Sequence, residues 1–308
     1  MKILRITILA VIVLIILLIG RFPIRSPGEG YREISVWGSD SLLNHPMGLA
    51  WKEGFLYVAD TENGLIKKFN DDGSLIAQWK GFSRPVAVAT VRDVIYVADF
   101  LADKITELQA DGTRISQWGR HGKGEGEFDA PTGIAVDPKG DIYVADFYNH
   151  RIQKFTADGK YLLQWGGDGR SSGKLHYPTD VNVDLNGNVY VADGFNHRVQ
   201  KFTGVGHYLA KWGGIGYGLS GGWPGWFRLA KAVTVDSQGN LYVADAFNNR
   251  IQKFTENGKL LALWGGPGSG NNQVNYPAGV AVDPDGHLYV SDFFNNRIIK
   301  LVPYLKRS

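Results

Sequence analysis

The chain has 308 residues, 44% of them apolar and 20% charged, a composition that excludes wholesale disorder. Its 40 glycines speak for many tight turns and against an all-helical fold, and the absence of cysteine excludes disulfide frameworks, thiolate metal sites and cysteine nucleophiles. The 33 basic residues exceed the 30 acidic ones only through residues 1–30, so 31–308 are neutral overall and lack the basic surface of a general nucleic-acid binder.

The first element is an apolar run. Ile6–Gly20 is interrupted only by Thr7, and Ile3 and Leu4 extend it beyond Arg5. About eighteen such residues in a helix span about 27 Å, close to the roughly 30 Å of a bilayer core. The sequence that follows, Gly20-Arg21-Phe22-Pro23, offers no small-residue cleavage site, so residues 1–22 read as a transmembrane signal-anchor rather than a removed leader. With the short head retained in the cytoplasm, the large C-terminal body is exported. In a bacterium this makes a single-pass inner-membrane protein with a periplasmic body. Residues 23–32, containing Pro23, Pro27, Gly28 and Gly30, read as a linker.

Residues 33–308 repeat six times. The phrase Tyr-Val-Ala-Asp ends at Asp60, Asp99, Asp146, Asp193 and Asp245, and Tyr-Val-Ser-Asp ends at Asp292; the intervals are 39, 47, 47, 52 and 47 residues. Upstream of it stand phrases such as Pro131-Thr-Gly-Ile-Ala-Val-Asp137, and downstream phrases such as Arg151-Ile-Gln-Lys-Phe155 and Leu162-Leu-Gln-Trp165. Each is short, rich in β-branched or aromatic residues and bounded by turns, so one repeat is four strands, a to d. Trp79, Trp118, Trp165, Trp212 and Trp264 close five repeats, but the sixth has no such segment after Arg297-Ile-Ile-Lys-Leu301. Glu33-Ile-Ser-Val-Trp37-Gly38 supplies it from the other end of the chain. The expected fold is all-β: a six-bladed β-propeller of four-stranded blades closed by an N-terminal strand and preceded by one transmembrane helix.

The phrase Asp146-Phe-Tyr-Asn149-His150-Arg151-Ile152, with its echoes at Asp193, Asp245 and Asp292, resembles the NHL repeat. The arginine is missing from the first two repeats. The resemblance implies a six-bladed propeller but no single activity, since NHL-type propellers include binding platforms, an amidating lyase and lactone hydrolases. The lyases carry zinc-ligating histidines after the proline that opens strand a. Here those positions are Met47, Val86, Thr132, Thr179, Lys231 and Ala278. No phosphate-binding loop is present.

The hairpin between strands b and c brings Asp146 to Arg151, Asp193 to Arg198, Asp245 to Arg250 and Asp292 to Arg297, and the repetition marks these pairs as structural. His150 and His197 occupy turn positions held by Asn249 and Asn296 elsewhere, so they read as turn residues and not as ligands. The b–c turns gather Phe100, Phe147, Tyr148, Phe195, Phe247, Phe293 and Phe294 on one face. The d–a loop from Trp212 to Ala230 spans 18 positions against 13 in the loops ending at Pro131, Pro178 and Pro277, and adds Tyr217, Trp223 and Trp226. Exposed aromatics of this kind serve binding. Asp180, Asn182 and Lys231 place polar groups on the axis where other repeats have glycine or alanine. Of these, Asp180 and Asn182 are the candidates for a metal such as calcium.

These features make the expected function that of a non-catalytic, protein-binding scaffold subunit, with partners in a membrane-associated complex, membrane contact through the N-terminal helix and no nucleic acid. The alternatives are a metal-dependent lyase or lactone hydrolase working in the channel and, further away, an RNA-binding platform.

Overall fold

The computed structural model describes residues 29–38, 41–214 and 221–305. Strand β1 (Glu29–Trp37) precedes the first blade, β2 (Pro46–Lys52), β3 (Phe55–Asp60), β4 (Leu65–Asn70) and β5 (Leu75–Lys80). Blade 2 is β6 (Pro85–Val91), β7 (Val94–Asp99), β8 (Lys104–Gln109) and β9 (Arg114–Trp118). Blade 3 is β10 (Pro131–Val136), β11 (Ile142–Asp146), β12 (Arg151–Phe155) and β13 (Tyr161–Gly166). Blade 4 is β14 (Pro178–Val183), β15 (Val189–Asp193), β16 (Arg198–Phe202) and β17 (Tyr208–Gly213). Blade 5 is β18 (Ala230–Val235), β19 (Leu241–Asp245), β20 (Arg250–Phe254) and β21 (Leu260–Trp264). Blade 6 is β22 (Pro277–Val282), β23 (Leu288–Asp292) and β24 (Arg297–Leu305), with β1 as its fourth and outermost strand.

Each blade is an antiparallel meander, and burial follows radius. The innermost strands line the axis, the second strands are buried along their whole length in β11, β15, β19 and β23, and the outermost alternate. A second strand has a neighbouring blade on each face, so its sequence is continuously apolar. A fourth strand has water on one face, so period 2 returns. The core between blades is built around Tyr143, Tyr190, Tyr242 and Tyr289, all at most 1% exposed.

Closure uses the same parts as the four junctions from blades 1 and 2 to blades 4 and 5. In blade 2, Trp118 packs on Phe155 of blade 3 with ring centroids 4.6 Å apart, and the c–d turn glycine Gly159 lies beneath its indole. In blade 6 the indole comes from Trp37 of β1, which lies over Gly73 of blade 1; a Cβ at Gly73 would come within 2.6 Å of that ring. β1 pairs with β24 from Glu29↔Leu305 to Trp37↔Ile298, so the closing ribbon takes in the last four of the residues read as linker. No helix among the described residues is long and apolar enough to cross a membrane, and the expected anchor at 1–22 lies outside them.

Candidate functional site

The repeated carboxylates are fully engaged as loop clamps. Arg198 Nε donates to Asp193 Oδ2 at 2.7 Å, and its two terminal nitrogens donate to the carbonyls of Arg170, Ser171 and Lys174 at 2.8–2.9 Å. Asn196 and Gln200 donate to the same carboxylate. Arg151, Arg250 and Arg297 bond Asp146, Asp245 and Asp292 at 2.7–2.8 Å and likewise hold the carbonyls of the d–a loop leading into their own blade. In blade 1, which lacks the arginine, Lys67 takes the place of the glutamine and pairs with Asp60 at 2.7 Å. In blade 2, Asp99 accepts the backbone N–H groups of Ser83 and Arg84 instead. Burial pushes the Asp146, Asp193 and Asp292 carboxyls up despite these donors. Carboxylates saturated by donors have no lone pairs for a metal or a substrate.

The last residue of each b–c turn adopts left-handed backbone, and in blades 3, 5 and 6 its side chain clips the next blade. Asn249 Oδ1 accepts the N–H of Tyr276 at 2.9 Å, Asn296 Oδ1 that of His45 at 2.7 Å, and His150 Nδ1 that of Tyr177 at 3.0 Å. His150 therefore does the work of an asparagine. Three groups of histidine and carboxylate still come together: His150 with Asp168 and His176, Asp103 with His121 and Asp129, and Asp283 with Asp285 and His287. In the first, the Nδ1 lone pair of His150 is already committed to Tyr177, which leaves Nε2 protonated and unable to ligate. In the third, Asp283 is a turn residue bonding the N–H groups of Asp285 and His287.

On the face formed by the b–c turns and d–a loops, one position repeats around the ring. Leu101 is 63% exposed, Tyr148 49%, Phe195 48%, Phe247 53% and Phe294 54%, on five successive blades, while blade 1 has Glu62. Phe147 and Phe293, one residue earlier, are half-buried and support their neighbours at 4.9 Å. Phe100 plays the same part in blade 2, 6.5 Å from Tyr148. Two further tyrosines join these side chains into two clusters. Tyr177 joins Phe147 to Phe195 at 4.9 and 5.1 Å, and Tyr276 joins Phe247 to Phe293 and Phe294 at 5.5–5.6 Å. Both precede the proline of strand a, and aligning that position across the repeats would have found them. Trp223 is 57% exposed with its carbonyl held by Arg250, and Trp226 is half-buried on the same clamp. Tyr217 lies outside the described residues.

The axis encloses a channel cavity of about 180 Å³ lined by the six inner strands. Asp180, Asn182 and Lys231 all border it. Asp180 Oδ2 accepts the N–H of Val233, across the junction with blade 5, at 2.9 Å. Protein atoms surround the carboxyl, and the surface Asp180 retains faces the channel; burial pushes it up to about 7, against the pull of Val233 N–H and Lys231. Burial likewise pushes Lys231 down to about 8. The residues do not fit the zinc or calcium sets that the NHL resemblance implies. No histidine stands at the zinc-ligand positions, and a calcium ion at Asp180 and Asn182 would face the Lys231 ammonium with too few oxygens.

Six meanders around a polar axis, clamped by buried Asp–Arg pairs, define a six-bladed β-propeller. The family described as NHL repeat matches residues 128–155, 175–202, 227–254 and 274–301, so blades 3 to 6 carry NHL repeats. No curated protein matches the sequence. Among solved structures, the chain resembles virginiamycin B lyase from Staphylococcus aureus at 15% identity and a TM-score of 0.60, covering 88% of this chain and 99% of that one. It also resembles a streptogramin B lyase at 16% identity and a TM-score of 0.59, covering 90% and 97%. Hydrazine synthase of Kuenenia stuttgartiensis matches at 12% identity and a TM-score of 0.58, covering 86% and 96%. At these identities the likeness is one of fold.

Proposed function

We propose that the protein is an exported, membrane-tethered propeller that binds other proteins through its aromatic face, as a non-catalytic subunit of a membrane-associated complex. The observation that carries this reading is the ring of large apolar side chains, each about half exposed, at one repeated position of blades 2 to 6. Scattered exposed apolar residues are ordinary, but large apolar side chains repeated at one position of a rigid face are the mark of an interface. The direction of β1 supports the same reading. Glu29 pairs with Leu305, at the end of blade 6 away from the b–c turns, while Trp37 reaches the aromatic end. The described chain therefore begins at the face opposite the exposed aromatics. The buried, saturated carboxylates and the lack of a fitting metal set weigh against lyase or lactonase chemistry, and the neutral body weighs against RNA.

The test is purification of the full chain in mild detergent with identification of co-purifying proteins, for the wild type and a Phe195→Ala, Phe247→Ala, Phe294→Ala variant. The reading expects specific partners that the folded triple variant loses. Identical partners for both would remove the aromatic face from the account.

A further inference from the structure

The charged side chains of the channel are confined to one sector. At the third residue of the inner strands, blades 1, 2, 3, 5 and 6 have Gly48, Ala87, Gly133, Ala232 and Gly279, and blade 4 alone has Asp180. At the fifth, Ala50, Ala89, Ala135 and Ala281 contrast with Asn182 and Thr234 of blades 4 and 5. Lys231 is the residue skipped by the register shift between Ala230 and Ala232, a bulge that re-aims a side chain. It is 8% exposed and borders the cavity, and among the described residues its ammonium has neither a hydrogen bond nor an ion pair within 4.0 Å. Asp180 is near enough to feel its charge but does not touch it, and one of its carboxylate oxygens is spent on Val233.

A buried ammonium without a partner costs several kcal/mol, so its retention points to something that enters the channel and pairs with it. The cavity of about 180 Å³ is similar to an engineered cavity of about 150 Å³ that takes up benzene, a size that suits a small molecule. A ligand dianion would be repelled by Asp180, and a bare cation by Lys231. We propose that the channel is a site for a small monocarboxylate bearing an amino or hydroxyl group on the adjacent carbon, its carboxylate meeting Lys231 and its donor group meeting Asp180. This site is independent of the aromatic face. The depressed basicity of Lys231 and the raised pKa of Asp180 are what two such incompletely partnered groups show.

The test is calorimetric titration of the full chain in detergent, at neutral pH, with L-alanine, L-lactate, propionate and lactamide. Propionate lacks the donor, and lactamide lacks the carboxylate. Alanine or lactate is expected to bind at least about tenfold more tightly than either control, a difference of about 1.4 kcal/mol. Comparing the two tells an amino acid from a hydroxy acid. Lys231→Met, verified as folded by circular dichroism, is expected to abolish that preference. No binding at tens of millimolar, equal binding of propionate, or an unchanged preference in Lys231→Met would overturn the proposal.

Discussion

Replacing Arg198 with methionine probes the clamp on which the loop face rests. The guanidinium is almost wholly buried and makes four hydrogen bonds, one to Asp193 and three to carbonyls of the loop at Arg170, Ser171 and Lys174. Methionine fills part of the volume but restores none of the donors. Breaking a buried pair by removing one partner costs about 3–5 kcal/mol. At about 2 °C per kcal/mol for a domain of this size, the melting temperature should fall by about 6–10 °C. The loss should also depend on pH in a stated direction. Burial already raises the Asp193 carboxyl, and the arginine is among the groups holding it down. Without Arg198 it rises further, so the folded variant holds its proton more tightly than the unfolded chain. Stability is then intact below the unfolded value near 4 and is lost as pH rises through the folded one. Scanning calorimetry of wild type and variant at pH 5 and pH 8 reads both effects, with the larger deficit expected at pH 8. A drop below about 2 °C, or an equal deficit at both values, would refute the reasoning.

Other perturbations separate the remaining contributions. Trp37→Ala removes the indole that seals blade 6 against blade 1 and should cost about 3–5 kcal/mol, whereas Ile34→Ala, on the exposed side of the same strand, should cost under about 0.5 kcal/mol; chemical denaturation compares them. Asp180→Asn keeps an acceptor for Val233 N–H and removes a carboxyl raised from 3.8 to about 7, whose wild-type contribution is present below 3.8 and lost as pH rises to 7. The variant should be more stable than wild type by up to about 4 kcal/mol at pH 8 and equal to it at pH 4, the attraction of Lys231 being already contained in the raised value. His150→Asn should retain stability at pH 8, because asparagine makes the same clip in blades 5 and 6, while His150→Ala should lose about 1 kcal/mol. Burial lowers the His150 pKa, so wild-type stability falls as pH drops through the unfolded value near 6.5, and thermal melts of His150→Asn should lack that part of the acid loss.

Much of this protein was readable without coordinates because a propeller is a local object repeated. Each blade is a meander of consecutive strands, so its hydrogen bonds join neighbours in sequence, and the recurring Tyr-Val-Ala-Asp phrase announces both the strand and the count. Even the long-range closure left a mark, in a tryptophan missing from one end and present at Trp37. The Asp–Arg pairs were visible for the same reason: five residues across a hairpin are neighbours in any fold containing it.

Contacts between blades were not readable in this way, because they join residues about 27 or 47 positions apart whose types carry no common signature. The loop carbonyls gripped by Arg198 belong to backbone, which leaves no trace in residue identity. The commitment of His150 to Tyr177 N–H needed the neighbouring blade in place, as did the bridging roles of Tyr177 and Tyr276. The exposure of Phe195, Phe247 and Phe294 depended on how closely adjacent turns approach. The channel showed the limit most plainly. The chain itself declared a lone carboxylate and a lone ammonium on adjacent inner strands, but only the closed ring decided that the ammonium would be buried at the channel without a partner among the described residues.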